Sequence, residues 1–184
     1  VGANVAVPAG AERIDASGRW VTPGLFNPMT QLGLVEVGAV GDTREASARS
    51  TDSDRIHAAF RVWEGMNAAS VLLAAARNEG VTTTMIQPQG GLVGGQAAVI
   101  DLVEGTRSDM IVRAPVAMMA QMSNTNAAGV GSRGELALRL RELLDDVRAY
   151  QRNRAAYERG ETREYAASRS DLEAMVPVLE GRML

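Results

Sequence analysis

Residues 18–34 read GRWVTPGLFNPMTQLGL, and this stretch decides the expected fold. The β-rich run Trp20-Val21-Thr22 is followed by a rigid Pro23-Gly24 joint and a short apolar run, Leu25-Phe26. The polar residues that end this apolar run are Asn27, Thr30 and Gln31. Apolar residues that stop at a cluster of polar ones are typical of a buried strand that carries side chains to a site at its carboxyl end.

Upstream of this stretch, residues 1–21 have the pattern of small β-structure. Short β-prone runs at 5–7, 13–15 and 19–21 are separated by the turn sequences 8–10 and 16–18, which predicts three short strands. Three short strands cannot bury their faces alone, so we expect them to pair with a sheet outside these residues.

Downstream, the pattern predicts an α/β arrangement. Residues 35–53 are rich in small and polar residues and indicate a long loop, while 54–64 fit either a helix or an extended excursion. Asn67 is a candidate N-cap for a helix over 68–78, and Gly80 is a candidate left-handed cap after it. The β-branched run VTTTMI at 81–86 then predicts a strand. A helix, a glycine and a strand in this order are typical of an α/β fold.

The second half of the chain predicts two strands followed by helices. A glycine-rich loop at 90–95 precedes expected strands at 96–102 and 110–117, and 118–134 has the composition of a loop. An apolar stripe with helical spacing predicts one long amphipathic helix over 135–159. Ser170 and Glu173 have the spacing of a capping box for a last short helix, which Pro177 should kink or end.

The 18–34 stretch resembles the first barrel strand of the metal-dependent amidohydrolase superfamily, in its imidazolonepropionase-like branch. That phrase runs roughly G-x-x-V-x-P-G-L-I-D-x-H-T-H-L-G. Residues 80–102, GVTTTMIQPQGGLVGGQAAVIDL, and 171–184, DLEAMVPVLEGRML, resemble later segments of the same family. The chain departs from the pattern at the metal site, because Met29 and Gln31 occupy the two histidine positions and Asn27 that of the aspartate.

The resemblance implies an α/β fold: the first part of a (β/α)8 TIM barrel over 22–184, with 1–21 as the tail of a small β-sandwich. A complete barrel takes about 250 residues, so 184 residues hold only part of one. The chain starts at Val1 without methionine and stops where the family pattern would enter its next strand, so we expect it to be a piece of something longer.

The substrate pocket that this resemblance implies lies at the carboxyl ends of the strands. Its expected residues are Asn27, Met29, Thr30, Gln31, Gln87, Gly94, Gly95 and Gln96. Residues 118–126 should face the same pocket. The 90–95 loop is either a plain tight turn or, as the resemblance implies, part of the pocket lining. A phosphate cradle is not favoured, because the loop lacks the G-K-[ST] of a phosphate-binding loop and a strand, not a helix, is expected after it.

The family uses a divalent metal, zinc, but we expect this chain alone to bind none. Thioether and amide groups are poor replacements for imidazole at zinc. The chain has no cysteine, and its basic residues are all arginine. Its lone histidine, His57, fits a solvated or locally bonded side chain better than a ligand. The acidic residues of the first loop, Glu36, Asp42, Asp52 and Asp54, fit a solvated loop, and polar Ser123, Asn124, Thr125 and Asn126 fit loop composition as well as substrate contact.

Two functions remain open at this point. The first is amidohydrolase-like chemistry, the metal-dependent hydrolysis of C–N bonds in amides or cyclic amides, in a fragment or degenerate form that is inactive as this chain alone. The second is a non-catalytic, pseudoenzyme-like subunit for binding or assembly. The expected partners are a small-molecule amide-type ligand and an oligomer or companion chain that completes the barrel.

Charge and hydropathy argue against two other classes of partner. A net charge of −3 and a pI of about 5.3 give no electrostatic reason to expect nucleic acid. No run of roughly 18 apolar residues is present that would indicate a membrane span. The compartment stays open, with an exported or periplasmic location among those the resemblance allows.

Overall fold

The structure, a computed structural model, describes residues 5–48, 55–122 and 130–184. Within these parts it is a mixed α/β protein with one four-stranded sheet. The strands are β1 (Leu25–Thr30), β2 (Val81–Ile86), β3 (Val93–Asp101) and β4 (Ile111–Ala120). The α-helices are α1 (Val71–Asn78), α2 (Arg107–Met110), α3 (Arg133–Arg152), α4 (Arg154–Glu158) and α5 (Arg169–Leu179). Two 3-10 turns lie at Gly41–Thr43 and Val62–Gly65.

The sheet has the order β1-β2-β3-β4, and only its first pair of strands is parallel. The chain passes from β1 through α1 to β2, which is the β-α-β unit that the sequence predicted. The pairs β2–β3 and β3–β4 are antiparallel. A (β/α)8 barrel is built from parallel strands, so the partial-barrel prediction is right for the α/β class and for this one unit. No barrel is seen in the described residues.

Residues 5–24 form no strand, so the three short strands predicted there are wrong. Their apolar side chains lie in solvent, with Ile14 84% and Trp20 97% exposed. A β-prone run becomes a strand only when a neighbouring strand takes up its backbone hydrogen bonds, and the described residues provide none here. The assignment of 1–21 to a separate β-sandwich stays a prediction.

Strand β1 lies where the sequence predicted a strand, but the prediction that it is buried is wrong. It forms one edge of the sheet, and Leu25, Phe26 and Met29 are 57%, 53% and 66% exposed. Apolar composition reports what a strand can bury, whereas its actual burial depends on which element covers it. In the described residues no strand pairs with β1 on the side away from β2.

Two clusters of buried side chains hold the molecule together. The first packs the sheet against α1 and the Val62–Gly65 turn, and includes Leu34, Val62, Leu73, Ile86 and Ile100. The second packs α3 against α5, and includes Leu143, Val147, Tyr150, Leu172 and Met175. Ile56 and Val93 belong to the second cluster, so the segment after residue 55 and the start of β3 connect the helices to the sheet.

Several helix limits differ from the sequence prediction for identifiable reasons. Helix α1 begins after Ser70, whose Oγ accepts a hydrogen bond from the Leu72 N–H at 3.2 Å, while Asn67 caps a preceding turn instead. The predicted 135–159 helix is divided at Asn153. Helix α5 is capped by Ser168, not Ser170, and continues two residues past Pro177, because proline near a helix end disturbs few backbone bonds.

Candidate ligand-binding cleft

A cleft of about 440 Å³ lies where β1, β2 and β4 end and β3 begins. Four of the predicted pocket residues line it: Met29, Gln31, Gln87 and Gly94. The other described residues that line it are Pro88, Gln89, Gly90, Met119, Ala120, Gln121 and Met122. The volume is in the range of small-molecule sites.

The described residues around this cleft carry no charged side chain. Its polar groups are the side-chain amides of four glutamines, and its apolar groups are mainly the thioethers of Met29, Met119 and Met122. A primary amide presents both donors and an acceptor, and methionine adapts to ligands of different shape. The cleft is therefore suited to a neutral ligand that has hydrogen-bonding groups and an apolar part.

A bulge at the end of β1 shapes one wall of the cleft. Asn27 pairs with Thr84 and Thr30 with Ile86, so β1 has one more residue than β2 in this interval. The Asn27 Oδ1 accepts a hydrogen bond from the Met29 N–H at 3.1 Å across Pro28. Bulges of this kind redirect side chains at the ends of strands, and this one brings Met29 and Gln31 to the cleft.

Asn27 and Thr30 lie elsewhere, at a second cleft of about 400 Å³ between β1 and α1. Gln31 lines both clefts. The Thr30 Oγ1 accepts hydrogen bonds from the Leu32 N–H at 3.1 Å and from the Thr84 hydroxyl at 3.2 Å. The Asn27 side chain thus fixes the backbone at the bulge within β1, and the Thr30 side chain fixes the backbone that follows the strand.

Gly95 and Gln96, which were also predicted for the pocket, line neither of these clefts. Gln96 is 6% exposed, and its Nε2 donates to the Ala58 carbonyl at 2.9 Å. Gly95 has φ +125°, and a Cβ there would come within 2.6 Å of the Phe60 carbonyl oxygen. These two residues hold the segment around Phe60 against β3, so the structure gives them a packing role.

The remaining candidates from the sequence lie away from the cleft or outside the described residues. His57 is only 9% exposed, and its backbone N–H donates to the Val93 carbonyl at 2.8 Å, so the prediction of a solvated side chain is wrong. Glu36 accepts a hydrogen bond from Asn67 Nδ2 at 3.1 Å. Asp42 is exposed in a 3-10 turn. The candidates Asp52, Asp54, Ser123, Asn124, Thr125 and Asn126 lie outside the described residues.

Two strand limits differ from those predicted, and the differences bear on which residues reach the cleft. Strand β4 runs to Ala120 rather than ending at 117, and β3 begins at Val93 rather than at 96. Met119 to Met122 therefore follow the strand direction into the cleft, and the rest of the 118–126 prediction lies outside the described residues. Pro88 and Gln89 were not predicted for the pocket, although their position directly after the 81–86 strand could have indicated that they line it.

The cleft residues do not fit a zinc ion. Its side-chain donors in the described residues are thioethers and amides, which bind zinc poorly compared with imidazole, carboxylate or thiolate. Throughout the described parts of the chain, no three His, Cys, Asp or Glu side chains are grouped in a way that could hold a metal ion. We therefore derive no reaction step through a metal.

A cluster of hydrogen-bonded and charged side chains lies between α3 and α5, away from the cleft. The Tyr150 hydroxyl donates to Glu173 Oε1 at 2.9 Å, and Arg154 and Arg169 pair with the same carboxylate. Burial, and then the bond to Glu173, raise the pKa of Tyr150. The Tyr150 hydrogen bond and the two arginines lower the pKa of Glu173. This cluster joins two helices, and none of its members lines the cleft.

Comparison with solved structures identifies the fold. The chain is similar to an amidohydrolase from Thermotoga maritima MSB8, with a TM-score of 0.81 and 23% sequence identity. The fold is amidohydrolase-like. The match covers 100% of this chain and 49% of that one, so the chain spans about half of its structural neighbour. No protein-family model matches the sequence, and no curated protein matches it.

An identity of 23% establishes the shared fold and does not distinguish one amidohydrolase branch from another. Among the described residues, no helix is both long and apolar enough to cross a membrane.

Proposed function

We propose that this chain is part of an amidohydrolase-like protein and that its cleft holds a neutral, amide-type small molecule. The observation that carries the proposal is the set of residues that meet at the strand ends: four glutamines and three methionines, with no charged side chain among the described lining residues. In open and closed α/β folds, ligands bind beyond the carboxyl ends of the strands. The likeness to a solved amidohydrolase supports this location.

The chemistry of the cleft complements an amide. An amide ligand has a carbonyl oxygen that accepts and, unless fully substituted, an N–H that donates, and a glutamine side chain offers the opposite group to each. The thioethers of Met29, Met119 and Met122 would contact the apolar substituents of the ligand. A charged ligand would enter without a counter-charge from these residues, which is unfavourable.

We assign no hydrolysis to this chain alone. The family chemistry that the 18–34 and 80–102 motifs suggest, in the imidazolonepropionase-like branch, is attack of metal-activated water on the C–N bond of an amide or cyclic amide. Zinc would supply that chemistry, but the donors of the cleft do not fit it. If the protein is active, its metal ligands come from polypeptide other than the described residues.

Binding and turnover can be measured separately. Backbone amide NMR shifts of the chain titrated with propionamide should move for residues around the cleft, and Gln31→Leu should weaken this response. Added Zn²⁺ should produce no release of ammonia from propionamide by the chain alone. Absence of any shift at saturating propionamide would overturn the binding proposal, and metal-dependent release of ammonia would overturn the proposed lack of hydrolysis.

A second function, a non-catalytic subunit for assembly, is favoured by a separate observation. Large apolar side chains between residues 14 and 26 lie in solvent, and we call them the exposed strip: Ile14, Trp20, Val21, Leu25 and Phe26. The strip leads into β1, an edge strand of the sheet. Exposed edges of this kind pair readily with other chains, so we propose that an oligomer or a companion chain covers it.

Restoring the two family histidines distinguishes these functions. Met29→His combined with Gln31→His should give zinc binding in a complete assembly if the other ligands of the family are present there. An assembly that binds no zinc after this change would remove the main support for a degenerate metallohydrolase, and would favour the binding or assembly subunit.

A further inference from the structure

Gln87 stands where β2 ends and the cleft begins. Its backbone N–H donates to the Thr30 carbonyl at 3.1 Å, which continues the pairing of β1 and β2 by one residue. Pro88, which follows, is buried and also lines the cleft. The backbone at Gln87 is therefore held on both sides, and its side chain projects from a rigid position.

The side-chain oxygen of Gln87 has an unusual environment. The Oε1 atom has no accessible surface and accepts no hydrogen bond. Among the side chains in the described residues, it is the one buried nitrogen or oxygen without a partner. Gln96, the other glutamine at this end of the sheet with a buried side chain, donates to Ala58 instead.

An acceptor of this kind opposes folding. Burial removes the hydrogen bonds that water would donate to it, and nothing replaces them. Such groups are rare in native proteins, and each calls for an explanation. A partner that arrives with a ligand is one explanation, and here it is supported by the position of Gln87 on the wall of the cleft.

We infer that Gln87 is the specificity-determining residue of the cleft, where its Oε1 accepts a hydrogen bond from the N–H of the ligand. The inference rests on the proposed function and narrows its ligand to primary and secondary amides. Rotation about the last side-chain torsion of glutamine is soft, so the oxygen can turn to the ligand while the backbone stays fixed. A fully N-substituted amide has no N–H and leaves the acceptor unpaired.

The test compares propionamide, which has two N–H donors, with N,N-dimethylpropionamide, in which two methyl groups replace them. Wild-type protein should bind propionamide about tenfold more tightly, the effect of one hydrogen bond to an acceptor that is otherwise unpaired. Gln87→Met keeps the length of the side chain without the oxygen and should bring the ratio of the two dissociation constants close to one. Gln151→Met is the control, because Gln151 is exposed on α3 and does not line the cleft, and it should keep the wild-type ratio.

Thermal unfolding without ligand gives a second readout. Because Gln87→Met removes an unpaired buried acceptor, its midpoint should equal or exceed that of the wild type, whereas loss of a purely structural hydrogen bond would lower it. Equal binding of the two amides by wild-type protein would overturn the inference and leave the proposed function standing. A lowered midpoint in Gln87→Met would also overturn it. Binding of neither amide would overturn the inference together with the proposed function.

Discussion

Gly95 shows how a residue selected for a pocket can instead be required by the backbone. Its φ of +125° is in the region that other residues rarely adopt, and a Cβ would lie 2.6 Å from the Phe60 carbonyl oxygen. Gly95→Ala should therefore destabilise the protein by about 1–3 kcal/mol or more, from backbone strain and the clash together. Urea unfolding measures this change.

Gly38→Ala is the control for this substitution. Gly38 has no positive φ, and nothing lies within 4 Å of the Cβ that alanine would add. Its effect should stay within roughly 0.5 kcal/mol, as for ordinary surface changes. If Gly95→Ala is as well tolerated as Gly38→Ala, the close approach of the Phe60 segment to β3 is not as described.

Tyr150 gives the fold a dependence on alkaline pH. Burial raises its pKa above the ordinary value of 10.0, and the bond to Glu173 adds to this effect. A raised pKa means that the folded protein holds the phenol proton more tightly than the unfolded chain does. The stabilisation is complete below the ordinary value and is lost as pH rises through the raised one.

The measurement is the free energy of unfolding of wild-type protein and Tyr150→Phe at a series of pH values from about 8 to 11. The wild type should lose stability more steeply than the variant above about pH 10, because phenylalanine has no proton to release. Parallel curves would show that the Tyr150 hydroxyl is not held in the environment described between α3 and α5.

At the scale of elements, the Asp171 carboxylate joins α5 to the segment around Ala59. Asp171 is 8% exposed, and its Oδ1 accepts from the Ala59 N–H at 2.8 Å. Its other oxygen accepts from the hydroxyl of Ser168, the N-cap of α5. Asp171→Ala should cost about 1–3 kcal/mol in urea unfolding, because the Ala59 N–H would remain in the interior without an acceptor.

Asp145→Ala is the matched control, since it removes an exposed carboxylate that pairs with Arg148 at 2.8 Å. Exposed pairs of this type contribute little, so a change below about 1 kcal/mol is expected. Similar losses for the two variants would mean that the Asp171 contact with Ala59 contributes no more than a surface pair.

Local sequence signals predicted the positions of helices and strands better than they predicted how these elements pair and where they break. The 81–86 strand, the positive φ of Gly80 and the helical character of 135–152 follow from β-branching, glycine freedom and apolar spacing, and all are confirmed. The antiparallel pairing of β3 and β4 was not predicted, although the connection over 102–110 is too short for a parallel crossover. The break at Asn153 was not predicted either. Ser168 was overlooked as a cap because Ser170 and Glu173 have the same spacing as Ser168 and Asp171.

The sequence indicated which strand ends carry the candidate site better than it indicated which residues line it. Met29, Gln31 and Gln87, each at the end of an apolar run, line one cleft, and the assignment of this cleft as a substrate pocket stays a prediction. The bulge at Pro28, which turns Asn27 and Thr30 to a different cleft, depends on the register against β2. Met119 and Met122, which lie in the 118–126 segment expected to face the pocket, join the cleft because β4 returns beside β3.

At the scale of the whole molecule, the exposed strip is the feature that we expect to govern association in solution. Trp20 is 97% exposed and Phe26 53%, beside the edge of β1. Apolar groups in this number, next to an edge strand with unpaired backbone groups, favour association. We expect sedimentation velocity to show assemblies that grow with protein concentration, and iodide quenching of Trp20 fluorescence to fall as they form.

Trp20→Ser combined with Phe26→Lys should keep the chain monomeric, because it removes the two aromatic rings and places a charge on the edge strand, the device that natural sheets use against pairing. Leu138→Lys is the control: Leu138 is 50% exposed on α3, apart from the strip, and its replacement should leave the association unchanged. If Leu138→Lys abolishes association and the double variant does not, the contact surface is helical. If wild-type protein is monomeric at every concentration, the strip does not drive self-association. A companion chain would then be the remaining proposal for what covers the strip.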